Sequence, residues 1–132
     1  MALNPSVGVA YRNAECDATV AQCNNGSIRL YTGTRPATAD TALSGNTLLV
    51  TCACSATAAP AASGGVATFN AITSAAAVAT GTATFFRAMK SDGTSCVFQG
   101  EVGTSGADLN LNSTSIQSGA TVAISSLTYT RP

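Results

Sequence analysis

Apolar and polar residues alternate along most of the chain after residue 26, which is the pattern of β-strands with one buried face. In the stretch "SIRLY", Ile28 and Leu30 point to one side, whereas Arg29 and Tyr31 point to the other. Further stretches alternate in the same way: "TLLVTCAC", "VATFN", "TATFFRAMK", "SCVFQGEV", "DLNLN" and "TVAISSLTYT". Seven or more short strands separated by turn residues predict an all-β, single-domain fold, either an antiparallel β-sandwich or a jelly roll.

Three of these stretches carry finer signals. One predicted face of "TLLVTCAC" carries Leu48, Val50, Cys52 and Cys54. In "TVAISSLTYT" the apolar positions change parity, which predicts either a bulge near Ser125 and Ser126 or a strand covered on both faces. The stretch "KSDGTS" contains an Asp-Gly pair, which predicts a hairpin between its two flanking strands.

The first part of the chain has a different pattern. Between residues 5 and 23, alanines recur at helical spacing among polar residues, which predicts a short N-terminal helix. Asn24, Asn25 and Gly26 tolerate a positive φ and are predicted to end it. We therefore divide the chain into an arm with a short helix, residues 1–25, and a β-sandwich domain, residues 26–132.

Composition limits the classes of function. The chain has 132 residues, with six basic and six acidic side chains and no histidine. Without histidine, Ser-His-Asp triads and imidazole metal sites are excluded. A net charge of zero gives no field that would attract nucleic acid or an anionic membrane, and it favours association with other proteins. No secretory signal and no apolar run long enough to span a bilayer are visible.

The remaining chemically active side chains predict no enzyme, no cofactor and no metal. The carboxylates lie among polar or turn-forming residues. Asp92 and Asp108 are expected to stabilise turns rather than to bind calcium. The five cysteines lack the spacing of a structural zinc site. We expect mostly free, buried thiols in a reducing cell; the alternative is a disulfide from Cys16 or Cys23 to a strand cysteine.

Two groups of residues are candidates for contact with a partner. The first is an uncharged N-terminal arm in which Asn and Pro disfavour a helix: Met1, Ala2, Leu3, Asn4 and Pro5. The second combines aromatic and cationic side chains that would line a glycan or protein contact: Arg29, Tyr31, Arg35 and Arg87. The alternative for the second group is that these side chains simply lie on an exposed sheet face.

Two long stretches resemble a known family. "GSIRLYTGTRPATADTALSGNTLL" and "ATGTATFFRAMKSDGTSCVFQGEVGTSGADLNLNSTSIQSGATVAISSLTYTRP" are similar to small proteins of tailed bacteriophages and prophages, which share a Y-x-G-x-x-P-x-x-A-D stretch and a "GTSGADLNL" stretch. The resemblance covers roughly residues 26–132. The chain departs from the family in its cysteine content and in "NAECDATVAQCNN".

The resemblance implies a virion structural protein. We expect a capsid decoration, or cement, protein that stabilises the head by bridging major capsid proteins. It would act as a homo-oligomer, a dimer or trimer, on the capsid surface of the virion, after assembly in the bacterial host cytoplasm. The alternative is a tail or fibre component that binds a host glycan or protein. Neither expectation includes binding to nucleic acid or to a membrane.

Overall fold

The computed structural model describes residues 7–130, which contain one helix and eleven short strands. The elements are α1 Val9–Ala21, β1 Ser27–Tyr31, β2 Leu48–Ala53, β3 Val66–Thr68, β4 Ala75–Ala76, β5 Gly81–Thr82, β6 Phe85–Met89, β7 Cys96–Gly103, β8 Leu109–Leu111, β9 Ser115–Ile116, β10 Thr121–Val122 and β11 Ile124–Thr130. The prediction of a mostly β protein with one short helix is confirmed. The assignment to a sandwich or a jelly roll stays a prediction.

The helix α1 lies inside the predicted range and ends where the sequence predicts. Its first turn uses the carbonyl of Gly8, which accepts from the N–H groups of Tyr11 and Arg12, both at 3.0 Å. Asn25 adopts a left-handed conformation with φ 58°. Asparagine tolerates this conformation better than most residues, so Asn25 redirects the chain from the turn after α1 into β1.

Seven strands form one curled sheet in the order β2-β1-β6-β7-β8-β11-β3. Neighbouring strands are antiparallel except β7 and β8, which run parallel, so the prediction of a purely antiparallel sheet is wrong at this pair. Val102 lies opposite Leu109, and only a short loop connects the strands. Parallel strands usually need a connection of a dozen or more residues. Here only two residue pairs form, and the carboxylate of Asp108 accepts a hydrogen bond from the N–H of Glu101 in β7 at 3.1 Å.

The outer edge of β2 is covered by the chain itself. The N–H of Thr73 donates to the carbonyl of Ala53 at 2.9 Å, and the N–H of Val78 donates to the carbonyl of Leu49 at 2.7 Å. The covering segment includes β4, which pairs with β10 in a two-stranded ribbon; β5 and β9 form a second ribbon. An exposed strand edge promotes pairing with other chains, so this cover closes one such edge.

The core lies inside the curl and against α1. Its fully buried members include Ile28, Leu30, Phe86, Leu109 and Leu127. Helix α1 and the turn after it add three further buried side chains to the same cluster, from Cys16, Val20 and Cys23. The core therefore begins within the helix, and residues on both sides of the predicted division at residue 25 share it.

Three bulges interrupt the registers of the seven-stranded sheet, one of them between Ala88 and Met89 in the pairing of β6 with β7. In β11, Ile124 pairs with Leu111 and Ser126 pairs with Asn110, so the register shifts at Ser125 as the change of parity predicts. A second bulge was not predicted. The register between β1 and β2 shifts so that Leu48 lies opposite Tyr31. Leu48 therefore lies on the opposite face from Val50 and Cys52, which corrects the single face predicted for "TLLVTCAC".

The predicted hairpin joins β6 to β7 through residues 90–95. The N–H of Lys90 donates to the carbonyl of Ser95 at 3.0 Å, and Gly93 has φ 73°. The carboxylate of Asp92 accepts at Oδ1 from the N–H groups of Thr94 and Ser95, and at Oδ2 from the hydroxyl of Ser95. These bonds stabilise the negative charge and lower the pKa of Asp92 to about 2. Asp92 thus stabilises the turn, as its sequence context predicts.

Candidate interaction surfaces

The long loop after β1 folds back across one face of the sheet. We call residues 33–46 the strap. Its two ends are joined, because the N–H of Thr32 donates to the carbonyl of Thr47 at 3.1 Å. The side-chain amide of Asn46 donates to the carbonyls of Thr32 and Thr34 at 2.8 and 3.1 Å. The strap is therefore closed at its base by a hydrogen-bonded neck.

Arg87 and Gln99 hold the middle of the strap against the sheet. Nη2 of Arg87 donates to the carbonyl of Thr41 at 2.5 Å and, more weakly, to that of Thr38 at 3.4 Å. Nε2 of Gln99 donates to the carbonyl of Pro36 at 2.7 Å. Nε of Arg87 donates to Oε1 of Gln99 at 3.2 Å. Two polar side chains on adjacent strands thus bind three strap carbonyls.

The structure places three of the four predicted aromatic and cationic residues, Arg29, Tyr31 and Arg87, on this covered face. Arg29 lies opposite Arg87 in the register of β1 and β6, and Tyr31 lies opposite Phe85. Tyr31 is 4% exposed and stacks on Phe85 with ring centroids 5.4 Å apart. Arg87 is 6% exposed. The face is therefore not the open surface that the alternative expectation described, and neither Tyr31 nor Arg87 presents its side chain to a partner in this structure.

The other two members of the cluster are more accessible. Arg35 belongs to the strap and pairs with Glu101 of β7, with Nη1 and Oε1 3.3 Å apart and both side chains exposed. Arg29 is half-buried, and its Nε atom is buried with no hydrogen-bond partner among residues 7–130. Gln99 and the strap carbonyls were missed by the sequence reasoning. The one available signal was an arginine inside the apolar stretch "FFRAM".

Apolar side chains are exposed where the described chain begins. Val9 is 50% exposed and Tyr11 is 71% exposed, and Val7 beside them is also exposed. Val78, in the connection between β4 and β5, is 68% exposed. Contact residues predicted in the arm lie outside the described residues: Met1, Ala2, Leu3, Asn4 and Pro5. The exposed side chains of Val7, Val9 and Tyr11 follow them along the sequence after Ser6.

All five cysteines lie in the described part of the chain and are free thiols. Cys16, Cys23, Cys52 and Cys54 are buried, and Cys96 is half-buried. Burial raises the pKa of the Cys23 thiol to about 12, and the nearby thiols of Cys54 and Cys96 add to the effect. Across residues 7–130, no group of three or more His, Cys, Asp or Glu side chains is placed to hold a metal ion. Chemically these thiols act as small apolar core groups.

A shallow pocket of about 170 Å³ lies beside the end of β8. Its lining contains no ionisable side chain: Leu111, Asn112, Ser113, Ser115, Ile116, Gln117, Ala120, Thr121, Val122 and Ala123. It therefore offers amide and hydroxyl groups for hydrogen bonding, and no acid or base.

No helix in the described range is long and apolar enough to cross a membrane. Comparison with protein-family models, with curated proteins and with solved structures finds no match to this chain. The resemblance to small phage proteins therefore stays a prediction from the sequence.

Proposed function

We propose that this protein is a structural component of a phage virion, most specifically a capsid decoration protein that binds across the joints between major capsid proteins. The observation that carries the proposal is the exposure of three apolar side chains where the described chain begins, Val7, Val9 and Tyr11. Side chains of this kind gain free energy when another protein removes them from water. These side chains follow the uncharged arm, residues 1–5. The arm and the exposed side chains therefore lie on one continuous stretch of chain.

The proposed mechanism is adhesion rather than catalysis. Each contact buries a few apolar side chains, which alone gives modest affinity. On a symmetric shell the same contact repeats, and an oligomer of this chain, a dimer or trimer, would bind several capsid subunits at once. Multivalency then multiplies the affinity without any new type of contact. The net charge of zero supports this mechanism, because it limits repulsion between neighbouring copies.

A finer fold assignment belongs to the same proposal. The β4–β10 ribbon faces the main sheet, since the thiol of Cys52 donates to the carbonyl of Val122 at 3.9 Å. We take the ribbon and the curled sheet as the two layers of a sandwich or jelly roll. A density map of decorated particles would test this assignment together with the site of attachment.

Attachment to shells that lack this protein tests the function. Full-length chain is expected to sediment with such shells. A chain lacking residues 2–9 is expected to keep its β-sheet circular dichroism signal, with a small loss of helix signal because Gly8 and Val9 begin α1, but to bind weakly. The double variant Val9→Ser, Tyr11→Ser should weaken binding by about tenfold or more, because it removes two exposed apolar contacts. Val78→Ser is the matched control, since Val78 is equally exposed on another surface.

The salt dependence provides a second readout. Because the proposed contact is apolar, attachment should survive an increase in salt that would screen ion pairs. If the truncated chain binds as well as the full chain, the contact is elsewhere. If no form binds shells, decoration is refuted and the tail or fibre component takes its place. Few copies per particle would support that alternative, and a high copy number would support decoration.

A further inference from the structure

The segment that connects β8 to β11 encloses the shallow pocket beside the end of β8. Every residue that lines this pocket belongs to residues 111–123, a single stretch of chain. The two ends of the stretch meet in the sheet, where Leu111 pairs with Ile124. At its far end the N–H of Ala120 donates to the carbonyl of Gln117 at 3.0 Å. The stretch is therefore a loop that is closed at both ends, and the pocket lies between its two sides.

Both sides of this loop are held by other parts of the chain. On one side β9 pairs with β5, and on the other β10 pairs with β4. The N–H of Ala77 donates to the carbonyl of Ala120 at 2.8 Å. The N–H of Ser118 donates to the hydroxyl of Thr80 at 3.0 Å. The pocket is therefore formed before any ligand arrives, which reduces the entropy that binding costs.

The lining of the pocket combines buried apolar side chains with exposed polar ones. Leu111, Ile116 and Val122 are each at most 8% exposed. The exposed polar members are neutral: Asn112, Ser113, Ser115, Gln117 and Thr121. A ligand that suits this lining has an apolar face and neutral groups that form hydrogen bonds.

Three of the polar side chains in the lining are free to bind a ligand. Within residues 7–130, the hydroxyls of Ser115 and Thr121 and the amide of Gln117 make no hydrogen bond to the protein. In the strap, by contrast, the amide of Asn46 binds two carbonyls. Hydroxyl and amide groups both donate and accept hydrogen bonds. They therefore match a ligand whose own groups do both, such as hydroxyls.

The volume of the pocket, about 170 Å³, limits the size of the ligand. A protein cavity of about 150 Å³ holds benzene, so this pocket has room for one six-membered ring. We propose that it binds one neutral, hydroxylated six-membered ring, that is, a single neutral hexose unit. The C–H groups of the ring pack on the buried apolar side chains, and its hydroxyls bond to Ser115, Gln117 and Thr121. This proposal does not rest on attachment to a particle.

A charged sugar fits this pocket less well. The lining offers no ionisable side chain to pair with a carboxylate, and a charge that loses water without gaining a partner is costly. An apolar ring of the same size would pack on the buried side chains but would leave the hydroxyl and amide groups without a ligand partner. The pocket should therefore select neutral hexoses over both kinds of molecule.

Nuclear magnetic resonance titration of the ¹⁵N-labelled full chain with the methyl glycosides of glucose, galactose and mannose tests the site. At least one glycoside should shift the amide signals of residues 111–123 saturably. Its Kd should be on the order of 1 mM, which is ordinary for a ligand of about a dozen non-hydrogen atoms. Glucuronate and cyclohexanol are the control ligands, and each should bind at least about fivefold more weakly.

Two variants locate the binding. Ala123→Leu should abolish it, because Ala123 is an exposed member of the lining and a larger side chain there would occupy the pocket. Ala42→Leu, the same change at an exposed strap position, is the matched control and should leave Kd unchanged. Thr121→Val removes one hydroxyl at nearly constant volume and should raise Kd about threefold or more without lowering Tm.

A trisaccharide that ends in the hexose bound best separates the two sources of this ligand. Equal or tighter binding means that the pocket takes the terminal unit of a glycan, whereas loss of binding means that it takes the free sugar. The proposal is overturned if no glycoside shifts these signals at about 20 mM, well above the expected Kd. Equal binding by wild type and Ala123→Leu, or by glucuronate and the best glycoside, would overturn it too.

Discussion

The carboxylate of Asp108 lies against the backbone of Gly100, where its Oδ2 atom accepts a hydrogen bond from the N–H of Glu101 at 3.1 Å. A β-carbon at Gly100 would lie only 2.8 Å from that oxygen. The carbonyl of Asp108 also accepts from the N–H of Thr128 of β11, at 3.1 Å. Asp108, the residue immediately before β8, therefore links β8 to β7 and β11, and this linkage holds the short parallel pair.

The close approach makes Gly100 intolerant of a side chain. In Gly100→Ala the new carbon would lie 2.8 Å from Cε1 of Phe86 as well as from Asp108, and Phe86 is fully buried and cannot move freely. We expect the free energy of unfolding to fall by about 1–3 kcal/mol. Urea denaturation measures it, with Thr104→Ala in the exposed loop as a control that should change little. An unchanged midpoint for Gly100→Ala would contradict the packing described here.

The turn at Asp92 should make part of the stability depend on acid pH. Hydrogen bonds from Ser95 and Thr94 lower the pKa of Asp92 from 3.8 to about 2. For a lowered pKa the stabilisation is complete above the unfolded value and is lost as pH falls through the folded one. The difference in Tm between wild type and Asp92→Asn should therefore vanish as the pH falls from about 4 to about 2.

Arg87 should be needed to keep the strap on the sheet. Arg87→Met keeps the apolar stem but leaves the carbonyls of Thr38 and Thr41 without their donor. We expect a loss of about 1–3 kcal/mol in unfolding free energy and faster hydrogen exchange or proteolysis within residues 33–46. Arg35→Gln removes an exposed ion pair, which is worth at most about 1 kcal/mol, and should leave strap exchange nearly unchanged. Equal protection of the strap in both variants would count against the role of Arg87.

The thiols should react in order of burial. Burial raises the pKa of Cys54 to about 11 as well as that of Cys23 to about 12, so both remain protonated in the fold near neutral pH. Brief treatment with iodoacetamide should modify the half-buried Cys96 first, and all five cysteines should react only after denaturation. Peptide mass spectrometry identifies the sites. Early modification of Cys23, or an intact mass two hydrogens below that of the free thiols, would refute this order.

The same raised pKa values predict a loss of stability in alkali. A raised pKa stabilises the fold below the unfolded value, here 9.0, and this stabilisation is lost as pH rises toward the folded value. Unfolding free energy should therefore decline above about pH 9, where thiols of the unfolded chain ionise first. Cys23→Ala should flatten this part of the pH profile. A wild-type profile without any alkaline decline would contradict the burial of Cys23.

The sequence by itself determined the features that depend on neighbouring residues. Alternation of Ile28 and Leu30 with polar neighbours located β1, because a strand has a period of two wherever it is built. Asn25 located the turn between α1 and β1, and the pair of Asp92 and Gly93 located the hairpin, because positive φ is a local property of few residue types. The bulge at Ser125 was visible as a change of parity.

Tertiary structure alone decided the features that join distant segments. The strap binds Arg87 and Gln99 through backbone carbonyls, which every residue has, so no side-chain pattern in residues 33–46 predicts its place. Arg87 is buried where it binds the strap, and Tyr31 is buried on the same face of the sheet, although alternation alone would leave both on an open face. The parallel pair of β7 and β8 depends likewise on Asp108 reaching back to the N–H of Glu101. The local pattern determines which side chains share a face of a strand. Long-range hydrogen bonds determine which of the two faces is covered and which is exposed to water.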